Sequence, residues 1–480
     1  MKHKTIKLKN SVKTFFSKPA NTMLVFFGLL LALLTLYPLL SMLREMFLVH
    51  SGIEKTLIRQ PKGSYTLFHF TKLFGKGEWS VINFWQPFFN SLSLGLGSAI
   101  VGIALGGVVA WLMVRSNMRF KKLIGTLFLF PYLMPAWTMA LYWLNLFQNS
   151  RAGSGVVGLL EGLTGICMPQ RFVYGLWPCI AVNGLHFAPF AYILIGGILQ
   201  NMDATLEESA TILKAGRAKI LRCITLPIIM PAVLSTFLLI FSSGFASYTV
   251  PIFLGGAVRF FTLSSKMKGL FNAGYSGQAY IIGATVILMG SIILSINQRY
   301  TGKRRSFTTV TGKSGQVSMV DLKRANTPIA LALLLFVIFF SIVPLFVFAL
   351  QTLLRNAGVY EAGNLTLDFW IGRGESAYRN GMIGGILFNK TIFSALKNSL
   401  LLSICAAAFA GTAGLFIGYA VVRRRGTRLA RAVENMAFFP YLIPSIAFAT
   451  IYLSISSSEA FSFLYNSFFL LVIVAGVLLV

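Results

Sequence analysis

Asp203–Pro231 reads DATLEESATILKAGRAKILRCITLPIIMP, a charged segment lying between two long apolar runs. It is too polar to cross a bilayer and too regularly patterned for a slack loop. Thr205 and Glu208 stand three residues apart, the spacing at which a hydroxyl and a carboxylate satisfy the orphan N–H groups of a helix start. Leu206, Ala210 and Leu213 then make an apolar stripe at helical spacing, with Glu207, Lys214 and Arg217 on other faces. Gly216 interrupts the pattern. A second short helix carrying Ile220, Leu221 and Ile224 runs to Pro227, whose missing amide hydrogen punctuates the chain before the next apolar run. The segment reads as a helix-turn-helix lying on a membrane surface.

Composition agrees with that setting. In 480 residues, 56% are hydrophobic and only 11% charged, with a mean hydropathy of +0.74; no aqueous fold hides that much apolar surface. The expected fold class is an all-α polytopic membrane protein. The net charge of +29 would suggest nucleic acid in a soluble chain, but here the basic residues cluster in short loops. The stretches before Met23 and at 114–122, 201–226, 298–325 and 423–431 hold 26 of the 42 Lys and Arg residues. All five fall on one side of the expected spans, which places them and the N-terminus in the cytoplasm by the positive-inside rule. Lipid bilayer is therefore the expected partner and nucleic acid is not. The basic start followed by Met23–Leu43 lacks a small-residue cleavage site and is too long for a signal peptide, so it reads as an uncleaved first span.

Apolar runs of bilayer length occur near 23–43, 90–113, 123–147, 177–200, 228–253 and 280–297. An even number of spans returns the chain to the cytoplasm, where 298–325 is basic and rich in Ser, Thr and Gly, a linker by composition. Spans resume near 328–352, 396–422, 434–455 and 463–480. The second series repeats the first: Asn90-Ser91-Leu92 recurs as Asn398-Ser399-Leu400, Arg115 as Arg423, and FPYLMP (Phe130–Pro135) as FPYLIP (Phe439–Pro444). A nearly constant offset at three blocks marks an internal duplication. The expected organisation is a six-span module over 1–297, the linker 298–325, and a second module in the same orientation over 326–480. The same offset puts a second copy of the opening segment near position 517, so the second module is expected to be truncated at Val480.

With these motifs on the page, the chain resembles the permease subunits of bacterial binding-protein-dependent type I ABC importers. Their coupling loop carries Glu-Ala-Ala, a glycine about six residues after the Glu, and Ile-x-Leu-Pro. Glu208, Ser209 and Ala210 fill the first block; Ile224, Leu226 and Pro227 fill the last. Lys214 stands where the family has glycine, and the nearest glycine is Gly216, so the resemblance implies a displaced or reshaped turn. It implies a coupling loop over 203–227, in which Glu207, Glu208, Ser209 and Ala210 seat a helix against a cytoplasmic ABC ATPase present in two copies. Leu226 and Pro227 would set the angle to the following span. It also implies an extracytoplasmic solute-binding protein as partner and the bacterial inner membrane as location. Two modules fused in one chain resemble ferric-iron and thiamine permeases, so ferric iron is the expected cargo, with thiamine, polyamines and phosphonates as alternatives. A secondary carrier of the major-facilitator type is the reading from another class; it would need no ATPase-docking loop and would bury carboxylates along its path.

Pro131, Pro135, Pro440 and Pro444 sit inside expected spans, where each frees a carbonyl and permits a kink, so they are candidate gating points or packing bends. The GKS at Gly312–Ser314 lacks the glycine of a P-loop five residues earlier, where Phe307 stands; ATP hydrolysis is expected on the separate ATPase, with no cofactor bound by this chain. No catalytic residues and no metal site are expected. Cys167, Cys179, Cys223 and Cys405 form no ligand-spaced set, and His186, with Asn183 and Asn145, reads as an intramembrane hydrogen-bonder or a functional polar group. Trp79, Phe84, Trp85 and Phe88 read as an interfacial aromatic belt.

Overall fold

The computed structural model describes residues 13–50, 52–152, 155–202, 205–303, 319–372, 385–442, 445–456, 459–465 and 467–479. The first basic residues, most of the linker with its GKS, and Pro444 lie outside them. Among the described residues the regular structure is helical. Seven helices are long and apolar enough to cross a membrane: α1 (Pro19–Glu45), α2 (Glu78–Arg115), α5 (Gln170–Gln200), α7 (Ala218–Phe245), Ser276–Asn297 within α10 (Ser276–Lys303), α11 (Lys323–Leu353) and α12 (Lys390–Arg423). The bent pair α3 (Lys121–Leu133) and α4 (Ala136–Phe147) makes an eighth if counted as one span. Between these lie α6 (Thr205–Ile212), α8 (Thr249–Gly255) and α9 (Leu263–Asn272), and after them α13 (Arg428–Leu442), α14 (Ser445–Ser456) and α15 (Phe468–Leu479). One difference from the hydropathy reading follows: the run 228–253 is divided, because the helix stops at Phe245 and restarts at Thr249.

The chain divides into two compact units, one of Met1–Phe84, Lys266–Ser291 and Lys390–Val480, the other of Trp85–Ser265 and Ile292–Asn389. In the second unit α2 presents a face of small residues. Gly95, Ser98, Ala99, Gly102 and Gly106 are buried on it at helical spacing, which lets neighbouring backbones approach where lipid offers no hydrophobic drive. A Cβ at Gly106 would lie 2.2 Å from the Ala188 carbonyl of α5, and one at Gly95 would lie 2.8 Å from the Phe241 carbonyl of α7. The repeated Asn-Ser pair sits on the same helix: Asn90 Nδ2 donates to the Phe261 carbonyl at 2.8 Å and Ser91 Oγ accepts from Leu263 N–H at 2.9 Å.

The helices α1 and α11 each pack against helices distant in the sequence. In the first unit, Leu24 and Leu31 of α1 share a core with Ala413, Ile417 and Ala420 of α12 and Ala430 and Val433 of α13. In the second unit, Ala330 and Val337 of α11 share a core with Ile124 and Phe128 of α3.

Prolines shape these spans, and at Pro38, Pro131 and Pro135 the freed carbonyl finds a donor. Three five-residue π turns, Ala32–Leu36, Val81–Trp85 and Leu221–Thr225, each end two residues before a proline: Pro38, Pro87 and Pro227. A proline has no N–H and its ring crowds the carbonyl four residues back, so widening the turn relieves the clash. For Pro38 that carbonyl belongs to Leu34, and Tyr452 Oη donates to it. For Pro131 it belongs to Leu127, which accepts from Ser341 Oγ at 2.8 Å. Pro135 ends the helix altogether with ψ 139°, turning α4 by 98° from α3. The carbonyl this leaves, that of Pro131, accepts from His186 Nδ1 at 2.8 Å.

Candidate functional site

The segment 205–227 lies wholly in the second unit, and its shape follows from three local devices. The first is a helix stop. α6 ends in a Schellman arrangement in which Ala215 N–H reaches the Ala210 carbonyl at 3.0 Å and Lys214 N–H reaches that of Thr211 at 2.9 Å. That closure needs a left-handed residue just past the helix, and Lys214 supplies it with φ +59°. The turn is therefore not displaced to Gly216, which is open to solvent with no atom near a would-be Cβ. A lysine simply adopts the conformation for which glycine is the easy choice.

The second device is an inward anchor. Arg115, at the end of α2, is buried; its Nη1 lies 3.3 Å from Glu207 Oε2 and its Nη2 donates to the Met202 carbonyl at 3.5 Å. The other carboxylate oxygen of Glu207 accepts from Thr225 Oγ1 at 2.7 Å. One side chain of α6 thus holds the end of α2 and the base of α7 together. A buried pair of this kind resists separation strongly, because either charge left alone would be desolvated without compensation.

The third device is the π turn Leu221–Thr225 leading into Pro227, which carries the joint into α7 without a break. Ile224 is half-buried there, while Leu226 and Pro227 are exposed.

The outward side is different in character. Glu208 and Ser209 are exposed, Ala210 is half-buried, and Ile212 and Leu213 at the helix end are 81% and 82% exposed. Two neighbouring aliphatic side chains held in the open beside acidic and hydroxyl groups form a compact amphipathic knob on a firmly anchored base. The sequence alone gave no partner for Glu207. In the sequence Arg115 stands out as a basic loop residue and as one block of the repeat, and Thr225 carries no signal; their separations from Glu207, 92 and 18 residues, are beyond any local spacing rule.

Of the remaining candidates, Pro131 is buried at the start of the Phe130–Leu133 turn and Pro135 caps α4. Pro440 is buried inside α13. His186 Nδ1 donates to the broken span, its ring tilted against that of Tyr132 with centroids 5.6 Å apart, and Asn183 Nδ2 donates to Ser247 Oγ at 3.4 Å. Of the aromatic group, Phe84 is buried against Phe74 and so cannot face an interface, and Trp79, half-buried, donates Nε1–H to Gln278 at 2.9 Å.

Comparison with known proteins places this geometry. Residues 102–307 match the family described as binding-protein-dependent transport system inner membrane component. The chain is 24% identical to the ferric transport system permease protein FbpB of Actinobacillus pleuropneumoniae over 53% of its own length and 35% of that protein's. It is 24% identical to the putative ferric transport system permease protein FbpB 1 of Haemophilus influenzae over 70% of its length and 50% of that relative's. It is also 24% identical to the spermidine/putrescine transport system permease protein PotC of Haemophilus influenzae, covering 45% of this chain and 77% of that one. The chain thus spans between a third and a half of the length of the two ferric relatives. Among solved structures, a bacterial ABC transporter involved in the import of the acidic polysaccharide alginate aligns with a TM-score of 0.39 and 21% identity over 54% of this chain and 91% of that one. The knob, its anchor and its π-turn joint all lie inside the stretch 102–307 that matches the binding-protein-dependent transport system inner membrane component family, within an all-α, multi-pass membrane chain.

Proposed function

We propose that this chain is the membrane-spanning permease of an ATP-driven importer, and that segment 205–227 receives the stroke of a cytoplasmic ATPase. The observation that carries the reading is the two-sidedness of α6: Glu207 fixes it to the ends of two spans while Glu208, Ser209, Ile212 and Leu213 stand free. A surface built this way converts a push on the knob into movement of α2 and α7 rather than into local bending. The basic loops put the knob and the N-terminus on the cytoplasmic side, with two ATPase copies beneath and a solute-binding protein on the opposite face. Residues 1–297 and 326–480 act as two like-oriented modules joined by the linker 298–325. The 98° break at Pro131 and Pro135, and Pro440 and Pro444 in the second copy, are the points at which the spans bend during access switching.

Ferric iron is the cargo we favour, supported by two relatives named as ferric transport permeases. Polyamine import is the second reading, favoured by the larger share of PotC that aligns. Uptake of radiolabelled ferric iron and of labelled spermidine by cells with and without the chain separates them; unchanged iron uptake on deletion overturns the first. If Glu208→Lys combined with Gly216→Pro leaves uptake of the cargo at the wild-type rate, the coupling role is wrong.

A further inference from the structure

Within the first unit, four ionisable side chains converge where the loop after α1 folds back. Glu45 ends α1; His50 follows it; Glu54 lies on the short helix Ile53–Ile58, and His69 on the short helix Phe68–Phe74. His50 Nδ1 is 2.8 Å from Glu54 Oε2, and His69 Nε2 is 3.7 Å from the same oxygen. One donor atom from each of His50, Glu54 and His69 lies within 4.8 Å of the others. Glu54 and His69 are almost wholly buried, at 1% and 0%; His69 Nε2 also lies 3.0 Å from the Leu48 carbonyl, a hydrogen bond that an ion at this nitrogen would displace, while the buried Nδ1 has no protein partner. Access is from the side of His50, whose other ring nitrogen is 3.0 Å from Glu45 Oε2. The Tyr280 ring closes one wall, 5.8 Å from the His50 ring.

The spacing suits a cation. Ligand bonds of about 2.0–2.2 Å place tetrahedral donors roughly 3.3–3.6 Å apart, between the two distances to Glu54 Oε2. Two imidazoles and one carboxylate are donors for a borderline transition metal, in contrast to the all-oxygen shells of Mg²⁺ and Ca²⁺. The outer arrangement is also that of a metal site. A ligating histidine gives its second ring nitrogen to a carboxylate, which fixes its orientation, and Glu45 stands in that position to His50. Burial disfavours a charged His50 ring, but hydrogen bonds to Glu45 and Glu54 outweigh it and hold the ring's pKa up to about 9. A proton and a metal ion therefore compete for the same negative pocket.

We propose that His50, Glu54 and His69 bind one divalent ion of the Zn²⁺ class, with Glu45 as the positioning residue for His50. The bound ion ties the loop to α10, because Glu54 Oε1 accepts from Gly277 N–H at 2.8 Å. Gly277 also sets the ring of His69: a Cβ there would lie 2.4 Å from it. The site is independent of the transport reading and lies in a different part of the chain from the coupling segment.

The test uses the full chain purified in detergent, with any affinity tag removed and metals stripped by chelator. Titration with Co²⁺ is expected to saturate at one ion per chain, with the visible absorption of four- or five-coordination, and one equivalent of Zn²⁺ is expected to abolish it. His69→Gln and Glu54→Gln lower the affinity more than 100-fold, whereas Glu45→Gln, which keeps all three ligands, lowers it about tenfold. Gly277→Ala weakens binding with every ligand present. The proposal is overturned by a wild-type chain that shows no saturable Co²⁺ spectrum, or by a spectrum that survives in the His50→Gln/His69→Gln double variant. Where a variant does not stay monodisperse, the wild-type chain decides by itself: a Tm raised by Zn²⁺ and not by Mg²⁺ supports the site, and a Tm indifferent to Zn²⁺ refutes it.

Discussion

Two adjacent glutamates on α6 should behave as opposites when each is changed to alanine. Glu207→Ala removes the partner of a buried guanidinium and the acceptor of Thr225 at once. Breaking a buried pair from one side costs about 3–5 kcal/mol. Glu207 retains 13% side-chain exposure and Arg115 only 2%, so water screens one partner and the lower end, about 3 kcal/mol, applies. Every 1.36 kcal/mol is tenfold, so hydrogen exchange at the amides of Thr205–Ile212 should accelerate by roughly 10²-fold, while the spans, with their own packing, stay protected. Glu208→Ala removes an exposed carboxylate and should leave that exchange unchanged within about twofold, since such surface changes are within ~0.5 kcal/mol. In vesicles with the cognate ATPase the two should both impair transport, by different routes. Glu207→Ala should permit ATPase binding yet transmit the stroke poorly, leaving hydrolysis running without uptake; Glu208→Ala should weaken ATPase binding itself. Equal exchange rates in the two variants would refute the assignment of Glu207 as the anchor.

Other substitutions test other parts of the fold. Lys214→Gly should stabilise the coupling segment by ~1 kcal/mol, since a lysine held left-handed bears a penalty that glycine escapes, and exchange at Ala215 should slow about fivefold. Gly216→Ala should be neutral in the same measurement, because no atom occupies the space a Cβ would take. Gly106→Val should lower the Tm of the detergent-solubilised chain by several degrees, the Ala188 carbonyl being 2.2 Å from the position of a Cβ; Gly269→Ala, with nothing nearby, should not. His186→Phe should leave the Pro131 carbonyl without its donor and destabilise by about 1–3 kcal/mol, with little dependence on pH if the ring acts as a hydrogen-bond donor rather than a titrating relay.

What could be read from the sequence was whatever has a short period. Spans announce themselves by length, and the short helix 205–212 by its apolar positions at helical spacing within a charged stretch. The Pro131 and Pro135 pair was legible as a bend but not as a 98° break, because whether a proline kinks or ends a helix depends on who receives the freed carbonyls. Here the receivers are Ser341 and His186, 214 and 55 residues from the groups they satisfy. The same limit hid the neighbours of α1 and α11, since hydropathy says that they are buried in lipid but not which helices lie beside them. It hid the ring of Glu45, His50, Glu54 and His69 as well: these are scattered through a loop without ligand spacing, and only the folding back of the two short helices brings them together.

The anchor, the knob and the proline receivers share one physical logic. In a hydrocarbon surrounding, an unpaired backbone or charged group has no water to fall back on, and at four places here a side chain from elsewhere compensates it. Arg115 does so for Glu207, Ser341 for Leu127, His186 for Pro131 and Tyr452 for Leu34. Each such pair ties a bend in one helix to the position of another, so the bend cannot straighten while the neighbour stays still. On the proposed coupling role, a push delivered at Ile212 and Leu213 would meet a base in which α2 and α7 are already joined through Glu207, and it would have to move them together. That constraint, rather than any flexibility of the loop, would let an eight-residue helix act on spans several times its length.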